Sequence, residues 1–302
     1  MQQTEVLMCP PAYPRSHPVD ERYNKYMDVG NQPDVAGAMT EWTNLLGKVI
    51  KAGAKAHIIE PVDGLGDMVF AANAFWGRGR DHVFVMSNHA PDHRRPERKF
   101  YAEWLAGKGY SLFHLTGEND GEEFEKNFFA GQGMVVSTEN QYFIGYGPRT
   151  TLKAIDRIEK ELRLNKEVVR IKLPDDGSFY DLDVVMHYSR EADTILFYPG
   201  ALDREGIWAI EHAEVSHVLD LPRMSSVIQN IPEENSWNFR LNAPYIGNVE
   251  IFPNRGPVSS LPKQIRQLEK LGRNRNIELT TIDLPQLGKL GGGARCPMGF
   301  LT

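Results

Sequence analysis

The pattern that most restricts this chain is the repetition of one unit. Two short apolar runs, an amphipathic stretch and a further short run recur roughly every 60 residues. Residues 5–9, 55–59, 82–86, 110–115, 168–173, 194–198, 248–252 and 277–282 have the length and composition of strands. So do 181–186 and 237–241, and residues 134–136 and 141–144 flank Thr138-Glu139-Asn140 as a hairpin would. Helical spacing separates these runs. Trp42, Leu45, Leu46, Val49 and Ile50 share a face in 39–52, and Leu152, Ile155, Ile158 and Leu162 share one in 151–164. Shorter helices are expected at 100–105, 208–215 and 261–271. No linker rich in Pro, Gly or Ser divides the chain, so residues 1–302 are expected to form a single α/β domain. Many short strands with one helix per unit favour modules set in a circle over a doubly wound sheet. Neither the dinucleotide-binding nor the P-loop glycine signature is present.

Composition narrows the function classes. Of 302 residues, 41% are hydrophobic and 25% charged, which suits a soluble globular protein. The net charge of −6 comes without a basic stripe, which argues against nucleic acid as a partner. Two cysteines, Cys9 and Cys296, make no disulfide framework. No apolar run has the length of a membrane span, and residues 1–4 lack a secretory pattern, so a cytoplasmic protein without membrane contact is expected.

The chemistry-bearing residues are few. Gly291-Gly292-Gly293-Ala294-Arg295-Cys296 places a cation beside a thiol, after a backbone that side chains leave open. A neighbouring cation favours the thiolate, the form that attacks carbon. The other reading is a flexible tail with an inert thiol. Cys9 reads as a small buried hydrophobe. Asp181 and Asp183, two apart on an expected strand, would share a face about 7 Å apart and could grip a cation between them. Asp67 follows Gly66 in a loop, Asn73 follows an expected strand at 68–70, and Arg149 follows a glycine-rich turn from which it could clamp a carboxylate. Asn88-His89-Ala90-Pro91-Asp92-His93-Arg94-Arg95-Pro96 suggests metal, but its spacing fits no established site, and a solvated loop is the expectation. The polar segment 12–35 either covers a pocket or wraps the surface.

Four stretches in order carry a family resemblance: Gly66-Asp67-Met68-Val69-Phe70-Ala71-Ala72-Asn73-Ala74, Gly145-Tyr146-Gly147-Pro148-Arg149, Phe179-Tyr180-Asp181-Leu182-Asp183 and the terminal Gly-Cys motif. Together they resemble the guanidine-modifying superfamily of arginine deiminases, amidinotransferases, dimethylarginine dimethylaminohydrolases and arginine dihydrolases. Leu7-Met8-Cys9-Pro10-Pro11 also resembles the opening of the dihydrolase and dimethylargininase-like members. The resemblance implies a pentein fold, a five-bladed pseudosymmetric α/β propeller with its site in the central channel. It implies Cys296 as nucleophile and Asp67, Asn73, Arg149 and Asp183 around the substrate, with no metal or organic cofactor.

The sequence also departs from that family. The acid/base histidine of the His-x-Asp motif falls on Asp181, and a guanidinium-binding acid falls on Gln132 in Phe129-Ala130-Gly131-Gln132. His187, six residues after Asp181, would lie about 20 Å further along an extended strand. Three consequences are open. Asp181 could replace histidine as acid/base, its pKa raised by Asp183 and burial. Gln132 could suit a neutral ureido head group, having a donor and an acceptor. Or the chemistry could be lost. The expected activity is cleavage of a C–N bond in an arginine- or citrulline-like amino acid through a Cys296 adduct, by hydrolysis. Transfer to an acceptor amine and a catalytically silent ligand-binding protein are the alternatives, and a homo-oligomer is left open.

Overall fold

The computed structural model describes residues 3–78, 83–116, 122–221, 240–272 and 276–302. Its strands form five separate three-stranded sheets. The second contains β3 (Phe75–Arg78), β4 (Val83–Met86) and β5 (Ser111–His114), and the third β6 (Val135–Ser137), β7 (Gln141–Tyr146) and β8 (Glu167–Lys172). The fourth contains β9 (Met186–Ser189), β10 (Thr194–Phe197) and β11 (His217–Asp220), and the fifth β12 (Tyr245–Ile246), β13 (Val249–Pro253) and β14 (Glu278–Ile282). In each, the middle strand pairs antiparallel with the strand before it and parallel with the strand after it. The antiparallel step needs only a turn, whereas the parallel step needs a crossover, and a helix supplies it each time.

The first sheet joins the two ends of the chain. Its order is β15 (Gly299–Phe300), β1 (Glu5–Met8), β2 (Lys55–Ile58). Val6 faces Phe300 and Leu7 faces Gly299 in an antiparallel pair, while Glu5 to Met8 run parallel to Lys55 to Ile58. The last strand therefore completes the first module, as a circular series of modules requires.

The crossover helices form for local reasons. In Val35–Lys51 the Asp34 side chain accepts from the Gly37 amide at 2.6 Å, capping the first turn. Ala38, Trp42, Leu45 and Val49 then fall on one buried stripe. Leu152–Leu162 is capped by Thr151 and buries Ala154, Ile155 and Ile158. The remaining crossovers are Glu97–Gly107, Arg204–Glu211 and Lys263–Leu271.

Some expectations are corrected. Residues 68–70 and 181–185 are not strands. Gly66–Val69, Ala71–Asn73 and Leu182–Val184 are tight 3-10 turns, and β9 begins only at Met186. Apolar runs this short suit either state, and here burial on every side, rather than alternation, makes them apolar. Of the strand expected at 237–241, residues 237–239 lie outside the described residues, and Leu241 is in a turn. Residues 88–96 are not a solvated loop: Asn88, His89 and Arg94 are buried.

The turns before the inner strands place the chemistry. Asn73 stands two residues before β3, while Gln132, Asp183, Asn242 and Cys296 stand three residues before β6, β9, β12 and β15. Each module thus delivers one polar side chain from an equivalent position.

Candidate active site

Cys296 is buried. Its approach loop needs glycine at two points. Gly291 has a φ of +82°, and a Cβ at Gly292 would run into the Phe70 ring. The loop is held from outside by Ala72, whose amide donates to the Cys296 carbonyl at 3.0 Å. The sulfur donates to Asn242 Oδ1 at 3.3 Å.

The electrostatics correct the expectation that Arg295 readies a thiolate. Burial is the main influence and raises the Cys296 pKa well above the ordinary thiol value. Asp183 and Asp181 add to that, outweighing the Gly293 backbone hydrogen bond and the Arg295 charge. Arg295 is engaged elsewhere: its Nη1 donates to Asp183 Oδ2 at 2.9 Å and to the Gln132 carbonyl at 3.1 Å. Burial lifts Asp183 itself to about 7, with Asp181 pushing the same way and Arg295 opposing.

Asp67, Asn73, Arg149 and Cys296 line one cavity of about 20 Å³, room for about one water. Tyr23 and Asn24 of the polar N-terminal segment also line it, so that segment covers the pocket. Asn24 is tied down by its Nδ2, which donates to the Leu290 carbonyl at 3.0 Å. Asp181 lies behind this wall with no exposed surface. Its Oδ2 accepts from Asn73 Nδ2 at 2.8 Å, and its Oδ1 lies 3.4 Å from Arg149 Nη1. The Arg149 guanidinium stacks 4.9 Å from the Tyr180 ring centre. Asp181 and Asp183 do not share a strand face, but the turn between them buries both, near enough to Cys296 for their charges to act on it.

Asp183 and Gln132 line a different chamber, of about 720 Å³, together with Arg295. Gln132 is a clamp on β15: its Nε2 donates to the Phe300 carbonyl at 2.8 Å, and its Oε1 accepts from the Phe300 amide at 2.9 Å. One N–H and the oxygen of its carboxamide are thus engaged by backbone.

Four contributors escaped sequence reasoning. His93 Nε2 lies 3.0 Å from Asp67 Oδ2, and His17 stacks on His93 at 4.5 Å. Arg94, buried, binds Glu97 through Nε and Nη2 at 3.1 and 3.0 Å and reaches Asn73 Oδ1 through Nη1 at 3.1 Å. Burial would raise Asp67, but the His93 hydrogen bond and the Arg94 and His93 charges hold it below the usual carboxylate range. The fourth is Asn242. Its offset from β12, matching those of Gln132, Asp183 and Cys296 in their modules, is the signal that would have found it. Among the described residues no group of three or more His, Cys, Asp or Glu side chains is arranged to hold a metal ion. No described helix is long and apolar enough to cross a membrane.

The model of the eukaryotic N,N dimethylarginine dimethylhydrolase family matches residues 14–299. The chain belongs to this family. A relative in this dimethylargininase family, the N(G),N(G)-dimethylarginine dimethylaminohydrolase of Mycobacterium tuberculosis, is 31% identical over 194 residues, 64% of this chain and 58% of that protein. The bifunctional arginine dihydrolase/ornithine cyclodeaminase AgrE of Nostoc sp. is 29% identical over 292 residues, 96% of this chain but 37% of that protein. The chain therefore spans less than two thirds of either relative. The crystal structure of the N-terminal domain of cyanobacterial ArgZ, an arginine dihydrolase bound to its substrate, superposes with a TM-score of 0.79 at 24% identity, covering 99% of this chain and 98% of that one. This dimethylargininase-family chain thus has the fold of that domain.

Proposed function

We propose that the protein hydrolyses a C–N bond of an arginine-like amino acid through a covalent adduct on Cys296. The observation that carries this is the buried Cys296 thiol sharing one cavity with the buried Asp67 carboxylate, while the buried Asp181 and Asp183 carboxylates lie near enough to act on its charge. Each carboxylate keeps one oxygen without a hydrogen-bond donor among the described residues. Acceptors left this way suit a planar head group rich in N–H donors. Asp67 and Asn73 bind the substrate from the cavity wall, and Arg149 holds its carboxylate.

The reaction balances with Asp181 as the proton carrier. The Cys296 thiol gives its proton to Asp181 as sulfur bonds to the guanidinium carbon. Asp181 returns that proton to the departing nitrogen, the C–N bond breaks, and a thiouronium remains on sulfur. Water adds to the same carbon and gives a proton to Asp181. The C–S bond then breaks, the water-derived oxygen keeps the carbon as a ureido group, and its second proton restores the thiol. The proton on Asp181 leaves with the released amine as ammonium. Incubation with arginine and with dimethylarginine tests this. A ureido product with a released amine, and a mass increase on Cys296 at early times, are expected. Cys296→Ala should abolish both.

One observation favours a second reading, a ligand-binding protein without turnover. Asp181 is held between Arg149 and Asn73, and the cavity beside the sulfur admits about one water. Saturable binding of an arginine analogue with no product, with or without an acceptor amine, would establish that reading. Product formed only when an acceptor amine is present would instead mark amidino transfer.

A further inference from the structure

Asn242 is fully buried, and its side-chain oxygen gathers three donors. Oδ1 accepts from the Arg295 amide at 2.8 Å, from the Cys296 amide at 3.1 Å and from Cys296 Sγ at 3.3 Å. Two of these donors are backbone N–H groups, which cannot accept, so the atom facing them must be the oxygen of the carboxamide. Its position is enforced from both sides. The Arg295 amide also reaches the Asn242 carbonyl at 3.1 Å, and a Cβ on Gly293 would come within 2.6 Å of Oδ1.

An oxygen acceptor beside a sulfur has a definite chemical effect. It bonds to the thiol, which has a proton to give, and repels the thiolate, which has none. It also occupies two backbone N–H groups that would otherwise be free to turn toward a sulfur anion. We infer that Asn242 is the positioning residue of Cys296, holding the resting sulfur in one rotamer with its proton on and releasing it only when the sulfur swings from Oδ1 toward the cavity. Asn242 touches no reacting carbon. It acts through the nucleophile.

The groups facing the sulfur from other elements are Asp183 and Asp181 on the turn before β9, Tyr180 beside them, Arg295 on its own loop, and the Gly293 backbone. All are retained when only Asn242 is changed, so a change in the sulfur's titration reads the carboxamide. The inference takes from the proposed function only the choice of Cys296 as the reacting group. It needs no substrate to test, so either can fail while the other stands.

The test is alkylation of the full chain by iodoacetamide between about pH 6 and about pH 10, with Cys296 and Cys9 followed separately by peptide mass. Asn242→Ala removes the acceptor and frees the two amides. The Cys296 labelling rate at each pH should rise, by about tenfold at neutral pH. Asn242→Asp keeps the acceptor but gives it a full negative charge, and the rate should fall. Opposite changes, with the Cys9 rate unmoved, establish the role. Changes in the same direction, or none for Asn242→Ala, overturn it, because shortening a residue that only fills space leaves the sulfur's hold on its proton unmoved. Should Asn242→Ala fail to fold by circular dichroism, Asn242→Asp decides alone: an unmoved or raised rate overturns the inference.

Discussion

Arg295 Nη1 lies 2.9 Å from Asp183 Oδ2, so the cation next to Cys296 in sequence neutralises a buried acid rather than the sulfur. The pair joins the loop that leads into β15, in the first module, to the turn before β9 in the fourth, and forms part of the wall of the larger chamber. A carboxylate this deep needs that partner, because leaving a buried charge unpaired costs several kcal/mol.

Removing the partner should therefore have a pH signature. Asp183 is lifted to about 7 when folded, above its unfolded value near 3.9. A raised acid binds more protons folded than unfolded, so its contribution to stability falls as pH rises through that window. Arg295→Met lifts the folded value further and extends the loss upward. Urea unfolding should show a deficit of about 1–3 kcal/mol near pH 8 that shrinks near pH 5.5. Equal deficits at both would mean that packing, not charge, is lost.

Gly133→Ala should disable the site without replacing a charged residue. Its Cβ would press on Asn73 Nδ2 and lie 2.8 Å from Asp181 Oδ2, wedging apart the bond between them. Loss of turnover by at least about tenfold is expected, with a destabilisation of about 1–3 kcal/mol. Wild-type kinetics in this variant would show that the Asn73–Asp181 bond is not needed.

Arg94 holds together what the sequence scatters: Glu97, Asn73 and the Asp67 carbonyl all accept from it. Arg94→Ala leaves Glu97 buried without its cation, and chemical denaturation should report about 3–5 kcal/mol of lost stability. Arg94→Lys keeps the charge but not the two-pronged bond to Glu97, so an intermediate loss is expected. A cost below about 1 kcal/mol for the alanine variant would contradict the burial assigned to this cluster.

The sulfur's burial also sets how activity depends on pH. Its pKa is raised chiefly by desolvation, so the thiolate fraction is small near neutrality and grows with each pH unit. If the free thiolate attacks, kcat/KM should rise about tenfold per unit between about pH 7 and about pH 9. A profile flat over that range would instead show that the proton leaves the sulfur for Asp181 only as the bond to carbon forms.

Sequence periodicity sufficed for the modular plan, because helix stripes such as Ala38, Trp42, Leu45 and Val49 and short apolar strands are local consequences of local residues. The glycine run before Cys296 was equally legible, since close backbone approach demands glycine wherever it occurs. Strand and turn could not be separated at 68–70 and 181–185, where burial on all sides removes any alternation to read. Nor could Arg94 be recognised as buried, because beside the nearby Glu97 it is held inside by Asn73 and Asp67, which a separate segment brings to it. Asn242 lies 54 residues from Cys296 and meets it only because the ring of modules closes between β1 and β15. Which donor faces which acceptor at this site is decided by that closure, since hydrogen bonds and ion pairs act over a few ångströms of space, whatever the separation along the chain.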